Sequence, residues 1–237
     1  FATPIIKPFL FFINILKSVF FYKYIYIYLI KNIHIYNMST EPILINSNQK
    51  PIELFETWFE EAKKSEINDP NAMNLATVSR DGKPSSRIVL LKSYSDDGFV
   101  FYTNSNSKKG KSISSNTNIA LNFHWKSLNR QIRIEGEVSM ISQTQANEYY
   151  NSRPVGSRIG AWASLQSEEL SDRKKLIDRV EKFERKFTNK DIPRPPHWNG
   201  YIVKPNLIEF WQDMPFRLHD RSEEHTSELQ SPCNLVC

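Results

Sequence analysis

Apolar positions first recur at helical spacing between Pro51 and about Lys64, where Leu54, Phe55, Trp58, Phe59 and Ala62 share one stripe. Proline suits the opening turn, whose N–H groups have no acceptor within the helix. The period then shortens to two. Residues 72–78, 85–92, 99–103, 119–125 and 131–140 predict strands, with turn signals at Arg80-Asp81-Gly82 and Asp96-Asp97-Gly98. Residues 143–151 follow Ser142, a suitable helix cap, and residues 172–187 place Leu176, Val180, Phe183 and Phe187 at helical spacing. Pro193, Pro195 and Pro196 stop regular structure, and residues 201–204, 207–211 and 216–220 predict three late strands. Short strands with Gly-containing turns predict a mainly β protein with flanking helices, arranged as a small barrel rather than as βαβ units.

The two ends differ from this body. Residues 1–37 are rich in Phe, Ile, Tyr, Lys and Asn and begin with Phe1. The stretch 8–30 is apolar enough to raise a membrane span, but Lys17 and Lys23 inside it are costly there. The preferred reading is non-native upstream translation before a start at Met38, with a targeting segment and a membrane anchor as alternatives. After Arg221, the stretch SEEHTSELQSPCNLVC shows neither sustained alternation nor a helical stripe, and resembles a foreign, adapter-derived tail. The expected working domain is therefore 38–221.

The formal net charge is +5, a mild bias that favours phosphorylated ligands or nucleic acid without proving either. Both cysteines, Cys233 and Cys237, lie in the last five residues, so the body has no disulfide framework and no thiolate metal site. That fits a reducing compartment, the cytoplasm by default, with an organelle the alternative if residues 1–37 are genuine. Arg87 to Lys92 puts basic groups at both ends of an apolar run, and Lys108-Lys109 follows the strand ending in Tyr102-Thr103. Fixed cations beside hydroxyls suit a phosphate, although locally a solvated basic turn explains them better. Arg153, Ser157 and Arg158 surround Pro154 and Gly156, where a loop could fold over an anion. Gln131 and Arg133 alternate with Ile132 and Ile134, and Gln166-Ser167 precedes the long helix. Arg217, His219 and Arg221 alternate and are expected to share a strand face.

In order along the chain, NDPNAMNLATV, DGKPSSRIVLLK, FYTNSNSKKG, HWKSLNRQIRIEGEV, YYNSRPVGSRIGAWASLQS, PPHWNGY and EFWQDMPFRLHDR closely resemble pyridoxine/pyridoxamine 5'-phosphate oxidases. The resemblance covers roughly 51–221. It implies an FMN-binding split barrel and a homodimer holding FMN at its interface. On this chain it implies that Arg87, Ile88, Val89, Leu90, Leu91 and Lys92 border the flavin. Arg87 and Lys109 would take its phosphate, with Lys108, Gln166 and Ser167 nearby. Tyr102, Thr103 and Gln131 would add polar contacts, and Trp211 and Arg221 would complete the site. Lys92, Tyr149, Arg153 and Ser157 would grip the substrate phosphate, while Arg217 and His219 would serve the pyridine ring and its reacting carbon.

The implied reaction is hydride transfer from pyridoxamine 5'-phosphate or pyridoxine 5'-phosphate to the flavin, followed by reoxidation with molecular oxygen and release of hydrogen peroxide. Arg217 would stabilise developing charge; His219 would orient the ring or exchange a proton. Two departures stand out. Residues 39–50 lack the Arg and Tyr of the family's N-terminal arm, and the tail replaces its terminal strand, which predicts an exposed sheet edge and impaired activity. The alternatives are another FMN-dependent split-barrel oxidoreductase, or a flavin- or pyridoxal-phosphate-binding protein without turnover. Nucleic-acid binding fits least, because the basic residues form no continuous tract.

Overall fold

The computed structural model describes Ile45 and residues 49–225. The readings made for 1–37 and most of 222–237 lie outside those residues. Helix α1 spans Pro51–Ser65 and buries the stripe expected of it: Leu54, Phe55, Trp58, Phe59 and Ala62. Eight strands follow: β1 (Ala72–Val78), β2 (Pro84–Leu90), β3 (Ser93–Ser95), β4 (Gly98–Asn104), β5 (Asn118–Trp125), β6 (Arg130–Met140), β7 (Trp198–Gln212) and β8 (Asp220–His225). Between them lie α2 (Lys108–Ser115), α3 (Gln143–Ser152), α4 (Val155–Ala163) and α5 (Arg173–Lys186).

All pairings are antiparallel, in the order β2-β1-β5-β6-β7-β4-β3, with β8 also on β7. The sheet curls until β2 and β4 touch, enclosing a core. Strand β7 is shared along its length: 198–203 pair with β4, whereas 207–212 pair with β8. A bulge at Glu135/Gly136 lets β6 follow β7 from Gln212 back to Tyr201. Only glycine fits there, because a Cβ on Gly136 would lie 2.2 Å from the Lys204 carbonyl oxygen.

The stripe of α1 closes the core. Phe55 meets Tyr94 and Phe99 edge-on, each at 4.9 Å, and Phe123 at 5.4 Å. Each such side chain, fully buried, contributes roughly 1.5–3 kcal/mol. A second cluster forms outside the barrel, where Tyr150, Ile159, Ile192 and Trp198 pack with Phe183 and Phe187. Ser142 caps α3 through a capping box with Gln145.

Several expectations change. Strand 85–92 ends at Leu90, and β3 fills the gap before β4. The basic pair Lys108-Lys109 opens helix α2, and the expected loop around Gly156 is helix α4. The strands at 201–204 and 207–211 are one strand, because β6 supplies a continuous partner through Pro205. Of the strand expected at 216–220 only Asp220 is extended, as the start of β8: Pro215–Arg217 is a 3-10 turn in which Phe216 and Arg217 have φ of 61° and 63°. Arg217, His219 and Arg221 therefore do not alternate along one strand. Strand β8 runs on to His225, into the stretch read from sequence as lacking strand alternation, because the edge of β7 provides an external ladder. Among the described residues no helix is long and apolar enough to cross a membrane.

Candidate active site

Strands β2 and β4, the start of α2 and the α3–α4 junction converge on a cavity of ≈ 430 Å³. Its basic and polar wall includes Lys92, Thr103, Lys109, Arg153, Ser157 and Gln166. A neighbouring cavity of ≈ 400 Å³ shares Thr103, Arg153, Ser157 and Gln166 and extends towards Gly160 and Ser164. Residues as far apart in the chain as Ile88 and Trp198 thus meet in one concave region.

Arg87 lies on β2 and is held by its own sheet: Nη1 donates to the Leu75 carbonyl at 3.1 Å and Thr77 Oγ1 at 2.8 Å, and Nη2 to Ser85 Oγ at 2.8 Å. Lys109 is buried at the start of α2, donating to Gln166 Oε1 at 3.0 Å and to Ser107 Oγ at 3.4 Å. Thr103 Oγ1 donates to the same Gln166 oxygen at 3.3 Å. Burial lowers the pKa of Lys109, and the charge of Arg87 lowers it further. Burial likewise lowers those of Arg87 and Arg153. Among the described residues none of these three cations is in an ion pair with a carboxylate. Uncompensated positive charge under partial burial is what a bound anion would neutralise.

Aromatic rings complete the lining. Tyr102 stacks on Tyr149 at 4.0 Å and on Trp198 at 5.0 Å, with interplanar angles of 16° and 12°. The Arg153 guanidinium lies 4.8 Å above the Trp198 ring, and its Nη1 is buried with no hydrogen-bond partner among the described residues. Trp198, with Pro154, is a wall residue that the site assignment from sequence missed. The only sequence signal for Trp198 was its place in PPHWNGY, directly after the helix-stopping prolines.

Of the other candidates, Ile88, Val89 and Leu90 line the cavity, whereas Leu91 is buried in the barrel core. Lys108 is exposed and Ser167 adopts a left-handed φ of 70°; neither lines the two cavities. Gln131, Trp211, Arg217, His219 and Arg221 line neither cavity. Gln131 and Trp211 are opposite each other on β6 and β7, with Arg221 next across on β8. Arg221 is engaged by Glu209 (2.6 Å) and Glu223 (2.5 Å). The His219 ring lies 4.7 Å from Trp211, and its Nδ1 is 2.9 Å from Asp213 Oδ1. Met214 N–H also approaches Nδ1, at 3.3 Å. These contacts demand opposite tautomers; the shorter one, to a carboxylate, is the stronger and favours a proton on Nδ1.

A curled antiparallel sheet with this flank of helices is the split-barrel fold. Residues 59–187 match the family model described as pyridoxamine 5'-phosphate oxidase, and residues 198–225 match the pyridoxine 5'-phosphate oxidase C-terminal dimerisation region. A pyridoxine/pyridoxamine 5'-phosphate oxidase from Allorhizobium ampelinum is 53% identical over 187 residues, covering 79% of this chain and 91% of that protein. Its counterpart from Brucella ovis is 55% identical over 172 residues, covering 73% and 83%. The crystal structure of PhzG from Burkholderia lata 383, in complex with tetrahydrophenazine-1-carboxylic acid, superposes with a TM-score of 0.76 at 27% identity, covering 84% and 98%. The chain belongs to the pyridoxamine 5'-phosphate oxidase family. At the level of that family, the match supports an FMN-dependent oxidase.

Proposed function

We propose that this protein oxidises pyridoxamine 5'-phosphate or pyridoxine 5'-phosphate to pyridoxal 5'-phosphate, using FMN and molecular oxygen and releasing hydrogen peroxide. The observation that carries the reading is the cavity itself: its lining combines the cations Lys92, Lys109 and Arg153 with stacked aromatic rings and includes no carboxylate among the described residues. That donor set fits phosphate groups attached to flat aromatic rings.

FMN, when bound, supplies the hydride acceptor and the centre that oxygen reoxidises. Arg87 and Lys109 would hold its phosphate, with Lys108 and Ser167 close by. Ile88 to Lys92, Tyr102, Thr103, Gln131 and Gln166 would border the remainder. Lys92, Tyr149, Arg153 and Ser157, which line the cavity together, would hold the substrate phosphate. Arg217 and His219 would face the reacting carbon, the guanidinium steadying negative charge and the imidazole exchanging a proton at Nε2 or orienting the ring. Consecutive left-handed residues at Phe216 and Arg217 are a costly conformation of the kind that concentrates at functional sites.

The site is divided within one chain, which supports a homodimer with FMN at the interface. Trp211, Arg217, His219 and Arg221 lie within the stretch that matches the dimerisation region, apart from the cavity wall. A second copy would bring its Trp211–Arg221 segment to the cavity. The relative with a bound phenazine carboxylate keeps a second reading in view, an FMN-dependent oxidoreductase for another aromatic acid.

The test is steady-state peroxide formation by the purified chain with FMN and pyridoxamine 5'-phosphate in air. Equal yields of pyridoxal 5'-phosphate and peroxide are expected. A folded, flavin-loaded dimer that makes neither would overturn the assignment and favour the second reading or binding alone.

A further inference from the structure

Arg194 stands outside both cavities yet ties together the elements that form their aromatic wall. Its guanidinium donates to Gln143 Oε1 and to Asn147 Oδ1 (2.8 Å) on α3, and to the Trp198 carbonyl and Asn199 Oδ1 (2.9 Å) on β7. Helix α3 carries Tyr149 and ends where Arg153 begins the next turn; β7 starts with Trp198. One planar cation thus sets the distance between the helix and the strand whose rings stack. Trp198 in turn carries Arg153 on its face at 4.8 Å, and Tyr150 meets Trp198 edge-on at 5.3 Å from behind.

We infer that Trp198, buckled to α3 by Arg194, is the platform that fixes the Arg153 guanidinium at the cavity wall, and so sets the preference for a phosphorylated over an unphosphorylated ring. Among the described residues Arg153 has no carboxylate ion pair, and of the two rings under its guanidinium the Trp198 indole at 4.8 Å is nearer than Tyr150 at 5.9 Å. A desolvated cation over an indole is the strong form of this interaction. Trp198 is then a specificity-determining wall residue and Arg194 a positioning residue. The inference rests on the cavity being the substrate-phosphate site.

The test is calorimetric titration of the flavin-loaded protein with 4'-deoxypyridoxine 5'-phosphate and 4'-deoxypyridoxine, which cannot be oxidised at the missing group. Wild type is compared with Trp198→Leu, Trp198→Phe and Arg194→Met. Trp198→Leu is expected to weaken the phosphorylated ligand about tenfold and leave the unphosphorylated one nearly unchanged. Trp198→Phe should recover most of the loss, and Arg194→Met should show a smaller loss of the same selectivity. Equal weakening of both ligands, or full discrimination in Trp198→Leu, would overturn the platform. Should the Leu variant fail to fold, Arg194→Met decides the matter: wild-type discrimination there overturns the inference. A wild type that never discriminates between the two ligands would instead remove the phosphate-site reading beneath it.

Discussion

Lys109 Nζ and Gln166 Oε1 lie 3.0 Å apart, joining the first turn of α2 to a loop 57 positions further along the chain. The same oxygen accepts from Thr103, so one amide docks the loop onto both helix and sheet. Gln166→Leu removes that acceptor and frees the Lys109 ammonium to move. Flavin titration by fluorescence quenching is expected to show FMN binding weakened about tenfold, the worth of a hydrogen bond to a charged group. Riboflavin, without a phosphate, should lose much less; equal losses would place Lys109 away from the phosphate.

The depressed pKa of Lys109 gives a pH dependence of defined sign. In the folded chain that pKa lies below the ordinary lysine value of 10.5, so the unfolded chain binds more protons between the two. Stability of the flavin-free protein should therefore rise as pH climbs through that window. Affinity for FMN should fall over the same range, because the ammonium that holds the phosphate is lost. Lys109→Arg keeps the charge and should flatten the affinity curve, measured as the difference between FMN and riboflavin. An affinity that stays level in wild type would contradict the assignment.

Glu209 is 3% exposed and is shared by two arginines, Arg221 at 2.6 Å and Arg133 at 3.3 Å. Glu209→Gln keeps the shape but leaves two cations facing a neutral amide. Urea unfolding is expected to show a loss of about 1–3 kcal/mol. A double-mutant cycle with Arg221→Met should give a coupling on the order of 0.5–3 kcal/mol, and additive losses would rule out the pair as a structural unit.

Phe55 is fully buried where α1 meets the barrel, against Tyr94, Phe99 and Phe123. Phe55→Ala should cost about 3–5 kcal/mol through lost burial and a residual cavity. The midpoint of thermal unfolding should drop with it. A variant as stable as wild type would mean that α1 is not part of the cooperative core.

Much of the site was legible as residue types. The cluster at Lys92, Tyr149, Arg153 and Ser157, expected from the family resemblance, comes together in one cavity with Thr103, Lys109 and Gln166. Two readings went differently for a common reason. Arg217 to Arg221 alternate as a strand would, yet two left-handed residues break the run before β8. Gly156 suggested a loop, yet Val155–Ala163 is a helix lying against α5 and the Trp162 side of the second core. Local composition is a weak prior where packing against a neighbour can outweigh it.

By itself the sequence determined the elements whose hydrophobic period is unbroken: α1, most strands of the barrel, the capped helix α3 and the long helix α5. These follow from local geometry, since one stripe or one face must be buried whatever its partner. The tertiary structure alone decided that β7 is a single strand shared by β4 and β8, because pairing depends on an edge supplied from elsewhere. It also decided that Trp198 lies under Arg153 and that Arg194 bridges α3 to β7. Contacts of that kind join residues with no period in common, and only the closure of the sheet and the docking of helices on it bring them within reach.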